Sequence, residues 1–327
     1  MAFPIVDVNA FTTVYIAPKA TEVVYKNSPT FTRLHTRRME RFEGGNQIQR
    51  VLTVGKLWGD AVGRGQAFDI DYVVTETALQ LNMKLYAVNM TLYGFDAMLN
   101  NGDPAIFSQI ELKFKNAGMR MAELLGTALF LSSQDPGRSL NLEGLNAWVD
   151  DGNLYPTIGG ITRSDVMAVG SVGGLNSYVA NLTSFNLAAV QNGYTQSAWG
   201  ADHVDLITAT PNGWNLFWNS LQPLQRYPDM TNTDVGKMGF QAFRFNAAEV
   251  VMDRYAPTGT TGAMWLLNTE YVEWYFSTVP LFQWGFTGFK EAANSIDYAG
   301  QYLVGTQFLL PNPRSCAKLT CTAGTLF

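Results

Sequence analysis

The sequence predicts an α+β protein, and three stretches carry that prediction. Asp103–Ser132 holds the longest sustained helical pattern in the chain. Residues 42–72 read as a long two-stranded excursion with a glycine-rich tip. Residues 135–250 alternate helical and strand patterns, as an α/β-like subdomain does.

The long helix is specified at its start and along its length. Asp103 is a good N-cap, and Pro104 falls at the first helical position, where its missing N–H costs nothing. Ile106, Ile110, Phe114, Ala117, Met121, Leu124, Leu125 and Ala128 recur at three- and four-residue spacing, which makes one apolar stripe. Leu112, Met119 and Phe130 form a second, weaker line. At 1.5 Å per residue the helix would reach roughly 40 Å. The pattern reads as a domain-spanning spine, and an ordinary long core helix fits it too.

Ahead of it, residues 1–41 show no strong periodicity and read as an extended arm, with a short strand at Val23-Val24-Tyr25. In residues 42–72, Gln47–Val54 is one strand and Ala67–Tyr72 its return, with Gly55, Gly59, Gly63 and Gly65 between. A lone hairpin is marginal in water, so this one needs a surface to rest on. The next strand alternates with Leu79, Leu81, Met83 and Leu85 on one face and shifts phase at Ala87.

After the helix, residues 133–176 are rich in loops and glycine. Thr183 begins a helical stretch, and His203–Thr208 reads as a buried strand. Thr210-Pro211 repeats the cap-and-proline pair and opens a helix with Trp214, Phe217, Trp218 and Leu221. Phe240–Phe245, Glu249–Met252, Met264–Leu267, Tyr271–Phe276 and Tyr302–Leu310 read as strands.

Composition narrows the class. Of 327 residues, 15% are charged and 13% aromatic, against about 25% charged in an average soluble protein. Such a chain must hide much surface, which points to an extensive oligomer. The net charge of −5 lacks the basic excess of a phosphate-gripping protein. The basic cluster Arg33, His35, Arg37, Arg38 and Arg41 reads as solvating an arm or meeting a neighbour's carboxylates. The N-terminus carries no secretory signal pattern, and no apolar run is long enough to span a membrane. A soluble protein made in the cytoplasm is the expectation. Cys316 and Cys321 have no histidine or cysteine partners nearby for zinc; two free thiols are expected, with a short-loop disulfide as the alternative.

Catalytic signals are thin, and neither enzyme activity, nor a cofactor, nor a metal is expected. His203 reads as a structural histidine and Asp150-Asp151 as a turn. Trp265, Trp274 and Trp284 suggest sugar stacking, yet strand aromatics usually fill cores or interfaces. No nucleophile has a convincing base.

Taken in order, these signals resemble the major capsid proteins of tailed phages with the Hong Kong 97-type fold. Phe42-Glu43-Gly44-Gly45 and the Ile48–Leu52 strand resemble the start of that family's E-loop. Asp71 and the strand to Tyr93-Gly94 resemble its return into the peripheral domain, and Asp103–Ser132 the spine helix. Gly144-Leu145, Val149, Tyr155, Gly159-Gly160-Ile161 and Arg163 resemble the approach to the axial domain. Asp205-Leu206-Ile207 with Thr210-Pro211, then Phe240–Asp253, Leu266–Thr269, and Asn312-Pro313-Arg314 with Leu319-Thr320 resemble later steps. The likeness covers roughly residues 42–321. It departs from the family where Asp165-Val166-Met167 stands in place of a tryptophan after the Gly-Gly-Ile-x-Arg run, and no N-terminal segment resembles a fused scaffolding domain.

The resemblance implies an N-terminal arm (1–41), an E-loop (42–72) and a peripheral domain (73–134, spine helix 104–131). It further implies an axial domain (135–250), a return through the peripheral domain (251–304) and a C-terminal segment (305–327), expected in the axial domain. It implies hexamers and pentamers in an icosahedral virion shell around double-stranded DNA held without sequence-specific contact. Portal, scaffolding or decoration proteins would be partners, and no membrane. The expected inter-subunit residues are Phe42, Gly44, Gly45, Ile48, Val51, Lys56, Trp58, Gly65, Phe68, Leu112, Met119 and Phe130. Some relatives cross-link an E-loop lysine to a neighbour's asparagine, and Lys56 is the only lysine in the excursion. An encapsulin-like nanocompartment is the alternative within the fold, and a Trp-rich carbohydrate-active protein the alternative outside it.

Overall fold

A computed structural model describes residues 28–45, 47–55, 57, 59–65, 74–94, 103–166, 174–183, 186–221, 242–257, 262–291 and 296–321, apart from the side chains of 103–108 and 242. In chain order the elements are α1 (Pro29–Arg38), β1 (Met39–Phe42), β2 (Ile48–Thr53), β3 (Glu76–Leu81), β4 (Lys84–Leu92) and the long α2 (Asp103–Phe130). There follow α3 (Leu145–Trp148), β5 (Thr157–Ile158), β6 (Ile161–Thr162), β7 (Tyr178–Leu182), α4 (Leu187–Ser197), β8 (Leu206–Ala209) and α5 (Pro211–Leu221). The last are β9 (Ala242–Phe245), β10 (Ala248–Met252), β11 (Gly262–Leu267), β12 (Glu273–Ser277), β13 (Gly285–Phe286), β14 (Lys290–Glu291), β15 (Tyr298–Leu309) and β16 (Ala317–Cys321).

The first of two six-stranded sheets is built on β15. Strand β4 runs antiparallel along one side of it, from Lys84 opposite Thr306 to Leu92 opposite Tyr298. β12, β13 and β14 share the other side, and β1 flanks β12 in parallel. The long helix lies over β4 and buries Ile110, Phe114, Ala117, Met121 and Leu125, the stripe that its spacing predicts. Phe114 meets Phe286 edge-on at 4.8 Å. The helix stops against a backbone contact: Gly144 N–H donates to the Leu131 carbonyl (2.8 Å), and a Cβ at Gly144 would fall 2.3 Å from that oxygen. Only glycine fits there.

The second sheet has the order β7-β16-β11-β8-β10-β9. Both of its faces are covered, so β8 is buried throughout. Ile207 and Ala209 join Val190, Trp214 and Phe217 under α4 and α5, while Leu206 faces the main core. Thr210 caps α5 as its sequence predicts, its hydroxyl accepting from Gly213 N (3.1 Å).

Residues 28–42 correct the expectation of an extended arm. Ser28-Pro29 is a third cap-and-proline pair, with the Ser28 hydroxyl accepting from Phe31 N at 3.2 Å. The helix it starts is wedged between the two sheets. On the second sheet, Ser28 Oγ donates to Asp253 at 2.6 Å, Thr30 meets Thr208 at 3.2 Å and Arg33 approaches Asp205 at 3.9 Å. On the first sheet, Phe31 packs edge-on against Trp274 at 4.8 Å and His35 against Phe276 at 5.2 Å. The basic cluster is therefore split, with Arg33 buried and Arg37 and Arg41 exposed.

The strand expected at 79–86 is two strands. β3 pairs with β2 and β4 with β15, and the Asn82-Met83 link inverts the side-chain parity between them. Leu79 and Leu81 are buried, Leu85 is 56% exposed, and Tyr86 is buried instead. The phase break thus falls five residues before Ala87. Ala67–Tyr72 and Val23–Tyr25 lie outside the described residues.

His35 gives this junction a pH dependence. Burial pushes its pKa from 6.5 down to about 4. Between these values the unfolded chain holds a proton that the folded chain does not, so stability is complete above pH 6.5 and falls as the pH drops towards 4. Taking the unassembled subunit from pH 7 to pH 5 should cost the wild type about 2 kcal/mol more than a His35→Phe variant, read from urea midpoints. Parallel pH profiles for the two proteins would refute this.

Candidate assembly surfaces

Strands β2 and β3 pair from Ile48 opposite Leu81 to Thr53 opposite Glu76, and Val54 N–H extends the ladder to Thr75 O (2.8 Å). The base of this ribbon is fixed within the chain. Ile48 and Leu79 are buried, Gln80 N–H donates to Gly159 O (2.9 Å), and Arg50 pairs with Glu273 at 3.0 Å. Gly159 and Gly160 turn β5 into β6 with φ of 56° and 81°. A Cβ on Gly159 would sit 2.5 Å from Leu79 Cγ, so the turn closes on the ribbon only as glycine.

Away from the base, much of the ribbon's apolar surface is exposed among the described residues, although Leu52 and Val54 still pack on the core. Val51, Leu57, Val62 and Val74 are 64%, 77%, 42% and 61% exposed, and Gly59–Gly65 are exposed throughout. Gly44, Gly45 and Gly65 have positive φ, and Gly44 and Gly45 set the chain's path from β1 into the ribbon. Phe42 is half-buried beside a groove of about 220 Å³ that Met83, Leu85, Ser277, Phe282 and Gly305 also line. Lys56, Trp58 and Phe68 lie outside the described residues.

On α2, Leu112 and Met119 are 59% and 41% exposed and point away from the buried stripe. Phe130 does not belong with them: it is fully buried, its ring 5.0 Å from that of Trp265. The helix ends beneath the second sheet, which covers the last residue of the predicted line. Ile48 is likewise buried and anchors the ribbon within its own chain. The outer edge of β4 makes no backbone hydrogen bond among the described residues. Past Lys84 it carries neither charge nor proline to discourage strand pairing.

One buried charge organises the loops beneath the ribbon. Arg163 is 1% exposed, and its guanidinium donates only to backbone carbonyls: Tyr155 (2.8 Å), Trp148 (3.3 Å), Asp150 (3.4 Å), Ala147 and Leu175. Burial lowers its pKa to about 10, opposed by Asp150, Asp151 and Glu143. Asp150 is a turn residue, accepting from Gly152 N (3.0 Å) and Tyr155 N (3.1 Å). The family resemblance of the Gly-Gly-Ile-x-Arg run flagged this arginine without revealing its partners, because five carbonyl acceptors leave no mark in side-chain chemistry.

Residues weighed for chemistry sit in structural roles. Trp265 and Trp274 are buried, which removes them from any sugar-stacking surface. His203 is exposed, its Nδ1 2.9 Å from Ala201 O. Cys316 and Cys321 are free and buried, and burial pushes the Cys316 thiol up to about 12. Among the described residues no group of three His, Cys, Asp or Glu could hold a metal, and no helix is long and apolar enough to cross a membrane.

No protein-family model matches the chain, and no curated protein matches it by sequence. Solved structures do. The capsid of cyanophage A-1(L) superimposes with a TM-score of 0.62 at 13% identity, over 92% of this chain and 94% of that one. The SrpI encapsulin of Synechococcus elongatus PCC 7942 gives 0.57 at 10% identity, over 89% and 86%. The capsid of a native GTA particle gives 0.57 at 7% identity, over 90% of each chain. The chain has the Hong Kong 97-type fold, which these capsid and encapsulin proteins share.

Replacing Arg163 with Met removes a donor from five carbonyls at once, of which Asp150 O keeps the Ser177 N–H (2.9 Å). We expect the unassembled subunit to lose at least about 3 kcal/mol, read by urea denaturation, with Lys recovering only part because its point charge cannot fork. A loss under about 1 kcal/mol for Met would contradict the role assigned to Arg163.

Proposed function

We propose that this chain is the major capsid protein of a tailed phage, assembling as hexamers and pentamers into an icosahedral shell around double-stranded DNA. The supporting observation is the exposed apolar ribbon on a fold that covers about nine-tenths of known capsid chains. In this reading residues 42–72 are the E-loop and α2 is the spine helix of a peripheral domain, spanning 73–134 and 251–304. Residues 135–250 and 305–327 form the axial domain. The arm is residues 1–41, with its last part folded as α1 and β1.

The physics favours assembly. Val51, Leu57 and Val62 are exposed, and a second copy would bury them. The groove beside Phe42 and Leu85 on a neighbour's first sheet has the apolar lining to receive them. Gly44, Gly45 and Gly65 let the ribbon change its angle as a shell rearranges. In this reading Lys56, Trp58 and Phe68 are also expected to meet a neighbouring subunit, and Leu112 and Met119 offer a second contact. The role is structural, without catalysis. Net acidity suits a container that holds DNA without gripping it. Synthesis in the host cytoplasm and contacts with portal, scaffolding or decoration proteins belong to this reading.

The likeness to the SrpI encapsulin supports a second reading, a cellular nanocompartment shell. Nuclease-resistant DNA in purified particles favours the virion; a protein cargo without DNA favours the compartment. For either shell, deletion of residues 46–68 should leave soluble monomers or small oligomers in sedimentation. Closed particles at wild-type yield from that deletion would overturn the assembly role of the ribbon.

A further inference from the structure

Beside the end of β2 lies a recess of about 330 Å³ between Leu52–Gly55, Leu175 and the Pro311–Arg314 segment. One wall is Arg314, whose guanidinium stacks over the Trp199 ring at 4.5 Å. Among the described residues Arg314 makes no hydrogen bond and no ion pair. Its Nε is buried without an acceptor, and so is Nε1 of Trp199. Two adjacent buried donors, both unsatisfied, are uncommon, since buried N–H groups usually find a partner. A guanidinium seated over an indole ring can still offer its terminal N–H groups to an anion.

We propose that Arg314 and Trp199 form a receptor for a carboxylate presented by a second copy of this chain. The surroundings select that ligand over a polyphosphate. Trp199 bridges to Asp202, whose carboxylate accepts from Tyr271 Oη, and Glu270 stands beside Tyr271. These carboxylates near Trp199 would repel a strand of phosphates more strongly than a single carboxylate held by the guanidinium. The chain has 27 acidic residues to offer, more than its 22 basic ones. The recess also adjoins the ribbon, so occupancy would register a neighbour at the element that reaches for neighbours. The inference deepens the shell reading by naming a second contact site and its chemistry.

Two measurements test it. In the first, the unassembled subunit is titrated with sodium acetate against sodium chloride at matched ionic strength, following tryptophan fluorescence. A saturable response that is lost in both Arg314→Gln and Trp199→Phe is expected. Inorganic phosphate or duplex DNA producing a response where acetate produces none would overturn the carboxylate assignment, as would no response to any of them. In the second, Arg314→Gln should lower particle yield at least tenfold while the subunit's melting temperature stays at the wild-type value, and Arg314→Lys should restore yield only partly. Wild-type yield in Arg314→Gln, or a melting loss that accounts for the drop, would overturn the role of a second copy. Failure of the wild type to form particles would count against the shell reading, while the acetate titration still decides the receptor.

Discussion

The arrangement of this molecule depends on one short helix seated between two sheets. Ser28 and Thr30 of the N-terminal segment satisfy the buried carboxylate of Asp253 and the hydroxyl of Thr208. The next residue, Phe31, fills the aromatic cluster of the other sheet around Trp274 and Trp284. Asp253 is fully buried, and burial raises its pKa, against the pull of donors from Ser28, Tyr255 and Thr30. Removing those donors would leave a buried carboxylate short of partners, which is among the costlier single faults a fold can carry. The helix thus couples the orientation of one sheet to the other, and the ribbon leaves from the strand that follows it.

That coupling gives the exposed surfaces a mechanical meaning. The ribbon base is clamped by Gln80 on Gly159 and by Arg50 on Glu273, while its far part shows apolar side chains to solvent. A rigid base with an unsatisfied end suits a chain whose remaining burial comes from copies of itself. Low charge and high aromatic content agree with this: the aromatics fill two cores and the junction between them, and the surface left over is only weakly charged.

Much of this was legible in the sequence because it rests on periodicity and local caps. The stripe from Ile110 to Ala128, the Thr210-Pro211 helix start and the strands β9 and β10 follow from local pattern alone. What escaped was decided by distant partners. Phe130 looks like surface on a helical wheel, but the second sheet covers it through Trp265. The parity change at Asn82-Met83 has no composition signal, because it arises where one strand leaves β2 for β15. Ser28-Pro29 did carry a signal, the same pair that marks α5, yet only two apolar residues, Phe31 and Leu34, are fully buried along that helix and the basic residues masked the rest. The exposed residues Val51, Leu112 and Met119 were assigned to assembly from the family resemblance, and burial alone does not say what covers them.

The central claim is that the uncovered ribbon belongs to a self-assembling shell. Negative-stain electron microscopy of the purified protein tests it most directly. Closed, uniform shells tens of nanometres wide are the predicted result. A field of monomers and small oligomers, from a protein that is folded and concentrated enough to associate, would contradict the account.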